Sequence, residues 1–161
     1  MEALKLTTLA VVLASMAAAA QAGIKASAVT YAGVSTVSPE QALVRLDASG
    51  ATTLGFTLPA AGTKVLTFSA ECTVDSLAGD SLSWTDLDIV VNGGVVAPTI
   101  GSDDAFCSAH GASGIKDDHV RASITIPIQG RAGSNTVQIK ARGNYNAKGF
   151  RLANIALVVF D

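Results

Sequence analysis

Carboxylates are the side chains of this sequence best placed for chemistry, and they fall in clusters. Asp86 and Asp88 stand two apart in Asp86-Leu87-Asp88-Ile89-Val90-Val91, a run that reads as a strand, so both project from one face about 7 Å apart. Paired carboxylates can hydrolyse glycosides, yet such pairs normally face each other across a cleft from different strands. An Asp-x-Asp on the outward face of one strand is expected to be solvated instead. Asp103-Asp104 and Asp117-Asp118 flank a loop rich in Gly and Ser that contains His110. Oxygen ligands in loops suit Ca²⁺, and extracellular calcium is abundant enough for weak sites. The spacing matches no EF-hand, so solvated loop carboxylates are the competing account.

Other catalytic signals are missing from the sequence. His110 and His119 are its histidines, and neither lies in an HExxH arrangement. No Gly-x-Ser-x-Gly elbow presents a nucleophilic serine, and no glycine-rich loop is placed to cradle a phosphate. Aromatic side chains offer a different chemistry, because a sugar ring can stack its apolar face on them. Trp84, Tyr31 and Tyr145 are the aromatics with a polar handle. Trp84 directly precedes a strand and is suited either to a ligand or to closing the core. Tyr145 lies in Gly143-Asn144-Tyr145-Asn146, which reads as an exposed turn. Trp84 and Tyr145 are therefore the candidate ligand contacts.

The charge balance is nearly even, at −2 overall, which argues against a nucleic-acid binder. Its distribution is uneven. Residues 71–118 carry nine acidic side chains and one basic, whereas residues 119–161 carry six basic and one acidic. Either the two blocks form separate docking surfaces, or acidic and basic strands lie side by side and pair across a sheet; the second is the ordinary use of such charges.

The elements that must position these residues are strands. In Leu66 to Val74 the side chains Leu66, Phe68, Ala70, Cys72 and Val74 face one way, and Thr67, Ser69, Glu71 and Thr73 the other. Leu87, Ile89 and Val91 form a second inward row, Val120, Ala122, Ile124, Ile126 and Ile128 a third, and Val137, Ile139 and Ala141 a fourth. Pro127 falls on an outward row and has no N–H to give a ladder, which marks an edge or a bulge. Asn92-Gly93-Gly94 is the strongest hairpin signal. Ser38-Pro39-Glu40 has the form of a helix start, and residues 23–41 read either as a first strand or as a loose arm. About eight to ten short strands predict an all-β fold: a two-sheet antiparallel β-sandwich, jelly-roll-like, with one disulfide. An immunoglobulin-like fold is disfavoured because position 105, two before the second cysteine, is Ala rather than Tyr. A composition of 5% aromatic residues is too poor for the girdles of an outer-membrane barrel.

Residues 1–22 have the three parts of a cleavable secretory signal peptide: Lys5, an apolar stretch from Leu6 to Ala20, and Ala20-Gln21-Ala22 before the cut. Residues 23–161 would then be a single β-sandwich domain. No transmembrane anchor is expected in that part, since its longest apolar run, Ile155 to Phe160, is far shorter than a spanning helix. The expected location is secreted, periplasmic or at the cell surface. In an exported chain two cysteines are best read as a pair, so Cys72 and Cys107 are expected to form a disulfide. The function class that remains is a non-enzymatic binding or surface-structural module, with carbohydrate or another surface protein as partner and calcium as the candidate cofactor. The rivals are a subunit of a fimbria-like assembly and a secreted hydrolase working through the acidic cluster.

Overall fold

A computed structural model describes residues 23–76, 82–97, 105–109 and 119–161. Among these residues ten strands run in chain order: β1 (Ile24–Thr36), β2 (Ala42–Leu43), β3 (Leu54–Leu58), β4 (Gly62–Asp75), β5 (Trp84–Val91), β6 (Gly94–Ala97), β7 (Ala105–Ser108), β8 (Val120–Gly130), β9 (Gly133–Asn144) and β10 (Gly149–Phe160). They form two antiparallel sheets. The first has the order β1-β10-β4-β8. In the second, β9 and β5 are central. Strands β2 and β3 pair successive stretches of β9, while β6 and β7 pair successive stretches of β5, so this sheet is also four strands wide. The result is the two-sheet sandwich that the alternation predicts.

Period-two rows build the core. Leu66, Phe68, Ala70 and Cys72 of β4 meet Leu87, Ile89, Val137, Ile139 and Ala141 of the facing sheet, all at most 2% exposed. Phe150, Leu152, Ile155, Leu157 and Val159 of β10 complete the layer. The row expected on β8 has the right orientation but less burial: Ile128 is buried, Ile124 and Ile126 are half-buried, and Val120 is 40% exposed. The reason is position. Among the described residues β8 is the edge of its sheet and pairs only with β4, and Pro127 sits on its exposed row, as suits an edge.

Local sequence explains the connections. Asn92 and Gly93 have φ of 52° and 86°, the left-handed pair that a two-residue hairpin requires, and they join β5 to β6. Asn92 Nδ2 donates to Asn135 Oδ1 at 3.0 Å, while the buried Asn135 amide donates to the Arg131 and Gly133 carbonyls. One amide thus ties two turns together. Two expectations are corrected or settled at the N-terminal end. Residues 24–36 form an edge strand on β10, not a loose arm. No helix starts at Ser38: its Oγ accepts from Glu40 N at 3.2 Å, but the Pro39 carbonyl accepts from Gly143 N at 2.8 Å. That bond draws the chain into the short strand β2.

The Cys72–Cys107 disulfide crosses from β4 to β7, joining the two sheets with a Cα–Cα separation of 6.2 Å. Ion pairs tie strands at the sandwich surface. Glu71 of β4 pairs with Arg121 of β8 at 3.0 Å, and Asp161 accepts from Lys64 at 2.9 Å and from Lys25. The acidic and basic blocks therefore lie side by side and pair across strands at Glu71–Arg121, and again at Asp86–Arg142 in the other sheet.

These bonds set an acid sensitivity. The Asn154 amide and the Arg121 guanidinium hold the Glu71 carboxyl below its ordinary value of 4.5. Lys25 and Lys64 likewise hold Asp161 below 3.8. A carboxyl whose folded pKa is depressed adds stability that is present above its unfolded pKa and disappears as pH falls through the folded one. The melting temperature is expected to be flat from about pH 7 to about pH 5 and to fall below about pH 4. A Glu71→Gln, Asp161→Asn variant melts lower at neutral pH but loses less on acidification. Equal acid slopes for variant and parent would remove these two groups as the cause.

Candidate binding site on the outer face of the second sheet

Leu87, Ile89 and Val91 turn inward, so Trp84, Asp86 and Asp88 of β5 necessarily turn outward. The antiparallel register then fixes their neighbours on β9. Trp84 lies opposite Asn144, Asp86 opposite Arg142, and Asp88 opposite Lys140. On the other flank β7 pairs Ser108 with Trp84 and Ala105 with Asp86.

Asp86 is the centre of this face. It is only 5% exposed, which corrects the expectation of a solvated Asp-x-Asp. Its burial is balanced by donors. Trp84 Nε1 donates to Oδ1 at 2.6 Å; Arg142 donates to Oδ2 from Nη2 at 3.2 Å and from Nε at 3.4 Å; Asn144 Nδ2 donates to the same oxygen. Asp88 is engaged differently, accepting from Gln41 Nε2 at 2.7 Å. With both carboxylates taken up as acceptors, the Asp86/Asp88 pair has the character of a scaffold, not of an acid and a base.

The carboxylate fixes an aromatic pair. Trp84 is oriented by its own N–H on Asp86, and the Tyr145 ring stacks on it at 6.2 Å between centroids and 21° between planes. Tyr145 remains 64% exposed. The turn that carries it is closed by Ala147 N donating to the Asn144 carbonyl at 3.2 Å. Within that turn Tyr145 has a φ of 60°, in the left-handed region where an aromatic residue costs about 1–2 kcal/mol. The chain therefore holds an exposed tyrosine in a conformation that glycine would adopt without cost. The candidate contacts Trp84 and Tyr145, 61 positions apart, are brought together as one aromatic shelf with Asp86, Arg142 and Asn144 along its rim.

No family model matches the chain, and no curated protein does. Among solved structures, a family 35 carbohydrate binding module from Paenibacillus barcinonensis is 18% identical, with 86% of this chain and 97% of that one covered and a TM-score of 0.35. A carbohydrate binding module from Cellvibrio mixtus lichenase 5A, solved in complex with cellotriose, is 15% identical over 86% of this chain and 98% of that one, with a TM-score of 0.38. Latent PorU from Porphyromonas gingivalis is 13% identical with a TM-score of 0.42; 89% of this chain is covered but only 14% of PorU. What the chain does must be argued from its own side chains.

The remaining candidates divide. Asp103, Asp104, Asp117, Asp118 and His110 lie outside the described residues. Among the described residues no group of three or more His, Cys, Asp and Glu side chains is arranged to hold a metal ion. His119 is half-buried, and its charge contributes to lowering the Glu71 carboxyl. The residues missed by sequence reasoning are Arg142 and Asn144. Their spacing of two matches that of Trp84 and Asp86, but only the β5–β9 register reveals that the two pairs face each other.

The hub can be tested directly, because Trp84 is the single tryptophan and reports on this face alone. Asp86→Ala strips acceptors from Trp84, Arg142 and Asn144 and is expected to cost about 1–3 kcal/mol in urea unfolding. It should also increase acrylamide quenching of Trp84 as the ring loses its tether. Unchanged quenching would show that the N–H bond does not orient the indole.

Proposed function

We propose that this chain is an exported carbohydrate-binding β-sandwich that takes a saccharide on the Trp84–Tyr145 shelf. The observation that carries the reading is the exposed Tyr145 ring, stacked on a tethered Trp84 and held at a φ that disfavours it. Strain of this kind is retained where function requires it. A pyranose lays its apolar C–H face on such a ring, while its hydroxyls need fixed donors and acceptors at the rim. Arg142 is 41% exposed in its side chain, so its guanidinium serves Asp86 and also reaches water, where a hydroxyl would sit. Asp86 is too enclosed to meet the sugar and acts by holding the groups that do.

The fimbria-like reading is weaker on one specific ground. Strand donation needs a free arm, and residues 24–36 already complete this chain's own sheet on β10. The hydrolase reading loses its Asp86/Asp88 pair to the hydrogen bonds described above.

Tyr145→Gly separates binding from stability. Removing the ring forfeits a stacked contact of about 0.5–1.5 kcal/mol and relieves backbone strain of similar size. The variant is therefore expected to unfold within about 1 kcal/mol of the parent, yet to bind saccharide about tenfold or more weakly. A neutral-glycan array selects the saccharide, and Trp84 fluorescence then follows its titration. An array with no neutral glycan bound at millimolar concentration, or a Tyr145→Gly variant that binds as the parent does, removes the shelf as the site.

Export has its own measurement. Mass spectrometry of the protein recovered outside the cytoplasm is expected to give a chain that begins at Gly23 and contains no free thiol. A recovered chain that retains Met1 would reject cleavage at Ala22.

A further inference from the structure

A second depression, independent of the Trp84–Tyr145 shelf, lies at the β1 edge of the first sheet, where the segment joining β2 to β3 comes alongside. It forms where two irregularities coincide. β1 takes an extra residue at Gly33 between the pairs Ala32–Ala153 and Val34–Leu152. β10 takes one between Ala153 and Ala156 against β4, where Asn154 has a φ of 48°. Paired bulges bend both strands and re-aim the side chains beside them. Gly33 is required there: a Cβ would lie 2.4 Å from the Leu152 carbonyl oxygen and 2.6 Å from Ile155 Cδ1. The result is a cleft of about 300 Å³ lined by Tyr31, Ser35, Arg45 and Arg151, with no acidic side chain in its wall among the described residues.

The two arginines set it apart. Of the five arginines, Arg121 binds Glu71, Arg142 binds Asp86, and Arg131 donates from Nε to the Ser134 carbonyl. Arg45 and Arg151 have no acidic or carbonyl partner among the described residues, and they line the same cleft. Both are rooted in fixed backbone. Arg45 lies between the buried Val44 and Leu46, whose N–H groups are bonded to the Ile139 and Ala51 carbonyls. Arg151 lies between the buried Phe150 and Leu152 in the centre of the sheet, paired to Ser35 and Thr73. Tyr31 at the lip is 87% exposed and also borders a neighbouring hollow of about 350 Å³. Two guanidiniums lining one cleft, with no counter-charge among the described residues, attract an oxyanion, and their planar forks suit carboxylate or sulfate. An exposed tyrosine beside them supplies a ring for the body of the ligand to lie on.

We infer that the Tyr31–Arg45–Arg151 cleft is a second ligand site, for a saccharide that bears an oxyanion. A carboxylate on a uronic acid and a sulfate ester present the same chemistry to two guanidiniums, and the probes distinguish them. Calorimetric titration of the mature chain uses three tetrasaccharides: oligogalacturonate for the carboxylate, a heparin-derived fragment for the sulfate, and cellotetraose as the uncharged control. At least one charged probe is expected to bind with an affinity that falls as salt rises, and cellotetraose is expected not to compete for that site. Arg45→Ala with Arg151→Ala should weaken the charged probe at least tenfold. Tyr31→Ala should weaken it several-fold. The double Lys variant, which keeps charge but loses the fork, should fall between parent and double Ala. Variants are compared only after their melting transitions are shown to match the parent's; if the double Ala variant does not fold, the double Lys variant and Tyr31→Ala carry the test. Neither charged probe binding, or binding indifferent to these substitutions, overturns the inference. Neutral glycans are followed separately at Trp84, so failure of either site leaves the other measurable.

Discussion

The register of β5 against β9 serves the core and the candidate binding face at once. Leu87, Ile89 and Val91 stand opposite Ala141, Ile139 and Val137 on the inner side, all buried. The same pairing sets Trp84 against Asn144 and Asp86 against Arg142 on the outer side. A slip of one residue would turn the apolar row to water and push the carboxylate into the core, so the hydrophobic face specifies the register strongly. The outer face inherits that precision without supplying it. A carboxylate 5% exposed needs its donors placed to within a fraction of an ångström, and three side chains on two strands meet it.

The disulfide reinforces the same region from the other side. Cys107 pairs in register with Thr85, between Trp84 and Asp86, and reaches across the sandwich to Cys72. β7 is only four residues long and would hold β5 weakly by its ladder alone. Closing a loop of 35 residues stabilises the fold by roughly 4 kcal/mol in the chain-entropy account. Phe68 and Phe106 pack beside it at 5.5 Å between centroids, one from each sheet. The bridge thus pins the strand that borders the aromatic shelf to the centre of the opposite sheet.

Much of this was legible in the residue order, for a physical reason. Period-two burial is a local property, so the inward rows of β4, β5 and β9 and the turn at Asn92-Gly93 could be read directly. The disulfide was expected because the sequence holds two cysteines and its first residues read as an export leader. Burial depth on β8 could not be read, because it depends on being at an edge. The environment of Asp86 was also hidden. An outward aspartate on an isolated strand is solvated; this one is covered by side chains that come 56 and 58 positions later in the chain. Local pattern gives the face on which a residue lies, whereas non-local pairing decides what covers it.

The two outer faces repeat one chemical device with different degrees of enclosure. Glu71 on the first sheet receives Arg121 and Asn154, as Asp86 on the second receives Arg142 and Asn144. Each cluster lies near an exposed tyrosine and a residue other than glycine at positive φ. The difference is Trp84. Its indole both bonds Asp86 and supports the Tyr145 ring, so the side chain on the second sheet is held before any ligand arrives. Glu71 keeps 30% of its side-chain surface exposed, against 7% for Asp86, and Tyr31 has no ring partner among the described residues. Ordering a free tyrosine on binding costs about 0.5–1.5 kcal/mol that a stacked one has already lost in folding. A ring already in place suits the weak, uncharged contacts of the saccharide site we propose on the second sheet. In the cleft we infer at the first sheet, the exposed Tyr31 is useful only beside something stronger, and Arg45 and Arg151, without an acidic partner among the described residues, would be that stronger attraction.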